Sequence, residues 1–221
     1  MRAWRHLCGA TVAVLVLQVA VAEAQAPRIE VSVGVVGDAG VSAGTTRAEL
    51  IDGNGQVVPL FTATHRTAAA LGLDARVSLR LRGPWLAELS GGWTRPELRS
   101  AISSDLDGAD DTVATLGTHR VVVELGVVRR FGRAGRFDPY VRASAGWLRE
   151  LTADRALVDD GVAAQVGGGL KYWMRDGQPG WLGRVALRTD IRLAVRRGGL
   201  SLGETGTTVA PAVSVGLIIG R

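Results

Sequence analysis

The chain has 221 residues, a formal net charge of +5 at pH 7, 30 glycines and a single cysteine. Its mean hydropathy is +0.17, yet past the N-terminus no segment offers the roughly 20 consecutive apolar residues of a membrane helix. One domain's worth of glycine-rich, valine-alternating chain remains, which excludes a helical bundle, and its basic balance does not select nucleic acid.

In chain order, Arg2 and Arg5 precede an apolar run from Ala10 to Ala22 broken by Thr11 and Gln18, and small residues follow in A-x-A spacing. This pattern predicts a cleaved secretory signal peptide over residues 1–24, with the boundary at about 22–26, and a single domain over 25–221. Cys8 precedes the apolar run, so no lipid anchor is expected. An exported chain without further cysteines uses no disulfides.

The mature sequence then alternates. Residues 28–37 place Ile29, Val31, Val33 and Val35 on one face, with Glu30 and Ser32 opposite. Residues 67–81 set Leu71, Leu73, Val77 and Leu79 against Asp74, Arg76, Ser78 and Arg80. Residues 85–95 oppose Trp85, Ala87, Leu89 and Trp93 to Glu88, Ser90 and Thr94. Residues 117–130 oppose Val121, Val123, Leu125 and Val127 to Arg120 and Glu124. Residues 137–149 oppose Val141, Ala143 and Trp147 to Arg142 and Ser144. Residues 162–175 carry Val162, Val166, Leu170 and Tyr172 against Gln165 and Lys171.

Residues 181–196 are the clearest case. Trp181, Val185, Leu187, Ile191, Leu193 and Val195 alternate with Arg184, Arg188, Asp190, Arg192 and Arg196. A helix would scatter those arginines round its circumference, whereas a strand gathers them on one face. Residues 207–219 close the series with Val209, Val213, Val215, Leu217 and Ile219 against Thr208 and Ser214. Strands this long, greasy on one side and charged on the other, need two solvents: a bilayer outside and a wet, ion-paired lumen inside.

The connections agree. Residues 82–84, 132–136 and 176–180 are tight and rich in Gly or Pro, whereas 38–66, 96–116, 150–161 and 197–206 are long. Strict alternation of short and long is the asymmetry of outer-membrane barrels, with short periplasmic turns and longer outer loops. The aromatics Trp85, Trp93, Phe137, Trp147, Tyr172 and Trp181 fall near strand ends, where two interface belts would place them. The expected fold is all-β: an eight-stranded antiparallel up-and-down transmembrane β-barrel. Within the first long connection, Asp52-Gly53-Asn54-Gly55 is a hairpin turn. Residues 48–60 form either a small hairpin above the membrane or two further wall strands, which would make ten.

Residues 138–147 (DPYVRASAGW) and the glycine-rich 161–171 (GVAAQVGGGLK) resemble strands of small outer-membrane barrels. By this pattern the mature chain is similar to the outer-membrane protein β-barrel family, which groups the OmpA-type transmembrane domain with its relatives. The resemblance implies residence in the cell outer membrane. It implies outer-membrane lipid, lipopolysaccharide and the barrel assembly machinery as partners, no nucleic acid and a monomeric state. The chain departs from the family at Arg221, where an aromatic residue is expected.

An eight-stranded barrel is only wide enough for side chains to fill. The inward set is Glu30, Asp74, Arg76, Arg80, Glu88, Arg120, Glu124, Arg142, Lys171, Arg184, Arg188, Asp190 and Arg192. Buried charges must be paired, so a lumen plugged by Arg–Asp/Glu pairs is expected in preference to an anion path. The expected role is structural or one of surface interaction carried by the outer loops. A small channel, a lipid-modifying barrel enzyme and a soluble ligand-binding barrel are the alternatives.

His65 and His119 show no sequence arrangement with Ser and a carboxylate, so no catalytic residue and no cofactor is assigned. Asp105, Asp107, Asp110 and Asp111 crowd one outer loop. Oxygen-rich clusters suit Ca²⁺, but the EF-hand spacing and its closing Glu are missing, so a solvated acidic loop is expected there.

Overall fold

The computed structural model describes residues 29–103, 112–153, 156–174, 185–199 and 207–220. These form eleven strands: β1 (Ile29–Asp38), β2 (Val41–Ile51), β3 (Val57–Thr67), β4 (Ala70–Arg80), β5 (Trp85–Thr94), β6 (Glu97–Ser103), β7 (Thr112–Arg130), β8 (Phe137–Thr152), β9 (Val158–Trp173), β10 (Val185–Gly198) and β11 (Thr207–Gly220). Eight of them, in the order β1-β4-β5-β7-β8-β9-β10-β11, close into an antiparallel barrel. Closure is made by β1 against β11, through Glu30↔Gly220 to Asp38↔Ala212, and by β7 against β8. A closed wall leaves no strand edge in the hydrocarbon, where every backbone polar group must be satisfied internally.

The ten-stranded alternative is corrected: β2 and β3 pair with each other outside the closed wall. Residues 97–103, expected to be loop, form β6, and β7 begins at Thr112 instead of near 117. The side sheet runs β2-β3-β6-β7, the same order as the wall segment β1-β4-β5-β7. Three wall strands therefore continue upward after a short break: β1 into β2 across residues 39–40, β4 into β3 across 68–69, and β5 into β6 across 95–96. β7 runs through unbroken, pairing with β6 over 112–117 and with β5 from Arg120. At about 3.3 Å per residue the eleven residues of β2 raise this collar by roughly 35 Å.

The breaks have local causes. Pro96 cannot donate to a ladder; its carbonyl instead accepts from Thr118 N at 2.9 Å and Thr118 Oγ1 at 2.8 Å. At the tip of the β2–β3 hairpin, Asp52 Oδ1 accepts from Asn54 N (2.9 Å) and Gln56 N (2.7 Å), while Gly55 takes φ +80°. Only a residue without Cβ adopts that conformation cheaply.

The polarity of the wall is inverted relative to a soluble domain. Ile191, Val33, Ile219 and Val166 are 58–70 % exposed outward, whereas Lys171, Glu88, Asp190 and Arg188 are at most 3 % exposed inside. No helix among the described residues is long and apolar enough to cross a membrane; the barrel crosses with its strands. Residues 1–24, expected to be a leader and containing Cys8, the acidic stretch Asp105, Asp107, Asp110 and Asp111, and Trp181, Arg184 and Arg221 lie outside the described residues.

Candidate functional site: a charged lumen

Strand alternation aims every second side chain at the barrel axis, and the long arginines meet carboxylates from strands across the lumen. At the end closed by the tight turns, Lys171 pairs with Glu30, and Arg130 Nε donates to Asp138 Oδ1 at 3.1 Å. Two apolar groups share this level: Leu86 with Val128 and Tyr140, and Trp173 with Ala186 and Ile218.

Above it Arg188 is the hub. Its Nη1 donates to Glu88 Oε2 at 2.7 Å, and its Nε to Tyr140 Oη at 2.8 Å and Asp190 Oδ2 at 3.2 Å. The guanidinium lies 4.7 Å from the Tyr140 ring centroid, a cation–π contact in a water-poor site. Tyr140 in turn donates to Asp190 Oδ1 at 2.5 Å. Arg76 pairs with Asp74 and reaches Asp190 Oδ2 (2.9 Å) and Ser214 Oγ (3.0 Å). Ser78 Oγ donates to Glu88 at 3.0 Å.

The next layer along the axis holds longer contacts. Arg142 approaches Glu88 at 3.5 Å and Glu124 at 3.7 Å, with Ser144 relaying between Arg142 and Glu124 at 3.1 Å on each side. Arg192 reaches Asp74 at 3.5 Å. Arg142 Nε and Nη1, Arg192 Nε and Glu124 Oε1 have no hydrogen-bond partner. At the mouth Asp38 accepts from Arg196 at 2.6 Å and Arg120 at 3.4 Å, and Arg120 also binds Glu150.

Of the residues the sequence assigns to the lumen, Glu30, Asp74, Arg76, Glu88, Arg120, Glu124, Arg142, Lys171, Arg188, Asp190 and Arg192 are buried within it. Arg80 is a correction. It ends β4 one residue past the last β1 partner, Leu79, opposite Leu86 of β5, and is exposed at the rim instead of buried in the lumen.

Asp38, Arg130, Asp138, Tyr140 and Glu150 also belong to the network, though the sequence reading passes over them. Parity was the available signal: Tyr140 and Asp138 are in phase with Arg142, and Arg130 with Glu124. Asp38 and Glu150 were hidden because each strand runs further than its alternation suggests.

Trp85, Phe137 and Phe131 face outward at the turn end, and Trp93 and Trp147 at the loop end. Tyr172 packs against Phe137 with centroids 5.3 Å apart and the rings tilted by 50°. Trp173, next in sequence, points inward and is 4 % exposed. The two histidines lie apart: His65 on β3 meets Ser100 Oγ through Nδ1 at 2.8 Å, whereas His119 on β7 stacks on Trp93 at 6.0 Å. No group of three or more His, Cys, Asp or Glu side chains suited to a metal ion occurs among the described residues.

No family model and no curated protein matches the chain. Among solved structures it is similar to the outer membrane protein OprG from Pseudomonas aeruginosa, at 13 % identity and TM-score 0.54, covering 88 % of this chain and 96 % of that one. It is similar also to Neisserial surface protein A (NspA), at 10 % identity and TM-score 0.54, covering 86 % and 96 %. At such identities the likeness shows the fold, a closed eight-stranded transmembrane barrel of the outer-membrane type.

Proposed function

We propose that the chain resides in the outer membrane of a Gram-negative-type envelope as a non-conducting, non-catalytic barrel of the OmpA kind. Its role is structural or one of surface interaction through the collar and outer loops. The carrying observation is charge balance across the lumen. Eight described carboxylates (Glu30, Asp38, Asp74, Glu88, Glu124, Asp138, Glu150, Asp190) meet eight cations (Arg76, Arg120, Arg130, Arg142, Lys171, Arg188, Arg192, Arg196). A permeation path for one sign of ion needs an excess of the other lining it. A balanced lumen supports a plug, and the apolar groups around Tyr140 and Trp173 narrow its lower end.

In this reading residues 1–24 are removed on export, the assembly machinery inserts the chain, and lipopolysaccharide surrounds the outer wall. Single-channel recording of the folded chain in planar bilayers tests the plug. Silence is expected; steady conductance steps would reject it.

The His65–Ser100 contact is the one observation favouring a lipid-modifying enzyme instead. Under the proposal, His65→Ala and Ser100→Ala leave the lipid A of the host unchanged by mass spectrometry, and a lost modification would reverse the choice.

A further inference from the structure

Among the described residues, the turn end of the barrel carries an exposed cationic surface. Arg80, Arg82 and Arg129 are all exposed there. The described carboxylates of that end, Glu30, Glu88 and Asp138, are at most 3 % exposed and engaged with lumen cations, so they do not neutralise the rim. The loop end differs: exposed Arg99 pairs with Glu97 at 3.0 Å, and Arg149 with Asp160 at 3.7 Å.

The rim also has a shape. Arg129 points outward from β7, and its guanidinium carbon lies 5.7 Å from the Trp85 ring centroid and 5.5 Å from that of Phe131. Both rings are on the lipid-facing side of the wall, 44 % and 58 % exposed. Interfacial aromatics settle at headgroup depth, so they hold this cation level with lipid phosphates. Between the first two tight turns a cleft of about 290 Å³ opens on the inward-facing side of the rim, lined by Arg80, Gly83, Pro84, Arg130 and Gly132. Gly83 and Gly132 take φ +56° and +99°, which lets the two turns bend close without side chains filling the cleft.

We infer that this rim is a binding site for anionic phospholipid: Arg129 and Arg82 engage a phosphate at the membrane surface, and Arg80, at the mouth of the cleft between the turns, adds attraction from just over the rim. Short turns face the periplasm in such barrels, so the lipid belongs to the periplasmic leaflet. The outward stacking of Arg129 on belt aromatics favours lipid over a soluble polyanion. The inference does not depend on whether the lumen conducts.

The test is native mass spectrometry of the folded full chain, released from phosphatidylcholine nanodiscs doped with phosphatidylglycerol. Every variant must first show a heat-dependent shift in gel mobility. The wild type is expected to retain phosphatidylglycerol over phosphatidylcholine. Each of Arg80→Ala, Arg82→Ala and Arg129→Ala should weaken that retention about fivefold, and the triple variant about a hundredfold. The corresponding triple Lys variant keeps the charge and should keep most of the binding. The loop-end set Arg47→Ala, Arg66→Ala and Arg99→Ala should behave as wild type. Equal retention of both lipids, a turn-end triple that binds normally, or a loop-end set that loses binding as strongly would each overturn the inference. Polyglutamate bound at the rim while phosphatidylglycerol is ignored would also overturn it, assigning the rim to an acidic soluble partner.

Discussion

The collar continues four of the eight strand lines of the barrel wall, and its pattern differs from that of the wall's charged strands. In the wall, β10 reads exposed and buried in strict turn from Ala186 to Arg196. In the collar, β3 passes through a run of half-buried positions at Leu60, Phe61 and Thr62 before alternation returns at Ala63. The hydrogen-bonded ladder is present in both regions, so the ladder does not impose the pattern. The wall stands between hydrocarbon and an ion-paired lumen, and a one-residue slip there would move every charge into lipid. The collar stands above the bilayer, where such a slip costs far less. Two-sided solvent contrast makes the sequence periodic; where it ends, periodicity fades.

Perturbations should divide along that line. The largest effect belongs to the lumen hub. Arg188→Ala takes the nearest cation from buried Glu88 and one of two from buried Asp190, and removing one partner of a buried pair costs about 3–5 kcal/mol. Urea unfolding from lipid vesicles, followed by gel mobility without boiling, measures it.

The next tests form a matched pair, because Ile51 in the collar and Ile191 in the wall are each 70 % exposed. Ile191→Arg should cost about 2–4 kcal/mol, since its surroundings are acyl chains near the midplane. Ile51→Arg should stay within about 0.5 kcal/mol, as an exposed change in water does. Equal costs would erase the distinction between the regions.

Gly146→Ala should fall between these two, at roughly 1–3 kcal/mol. A Cβ there would lie 2.0 Å from the Val123 carbonyl oxygen and 2.6 Å from Glu124 Cα, so β7 and β8 must separate to admit it.

The same contrast explains what the sequence could reveal. All eight wall strands are readable from period and punctuation, and the Asp52–Gly55 turn marks the β2–β3 hairpin. The length of that hairpin is not readable, because β2 carries Thr45, Thr46 and Arg47 in a row with no apolar face to count from. β6 is hidden for a related reason: seven residues following Pro96 look like loop until β7 is seen to continue past the barrel rim.

In the lumen, residue type and parity together identify most of the charged set. They cannot say which arginine meets which carboxylate. Arg76 and Asp190 are 114 positions apart, and only closure of the barrel brings them to 2.9 Å. Nor does parity mark the end of the wall, which is why Arg80 reads as lumenal and lies in the rim.

The inverted polarity of the wall is tested most directly by spin labels placed singly at Val33, Val166 and Ile191 in a Cys8→Ser background. The chain is folded into lipid vesicles, and relaxation is measured against dissolved oxygen and a water-soluble nickel chelate. All three wall labels should meet oxygen far more than nickel, while a label at Ile51 in the collar should meet nickel freely. Nickel reaching Val33, Val166 and Ile191 as readily as Ile51 would show the valine and isoleucine rows standing in water, and the account would be wrong.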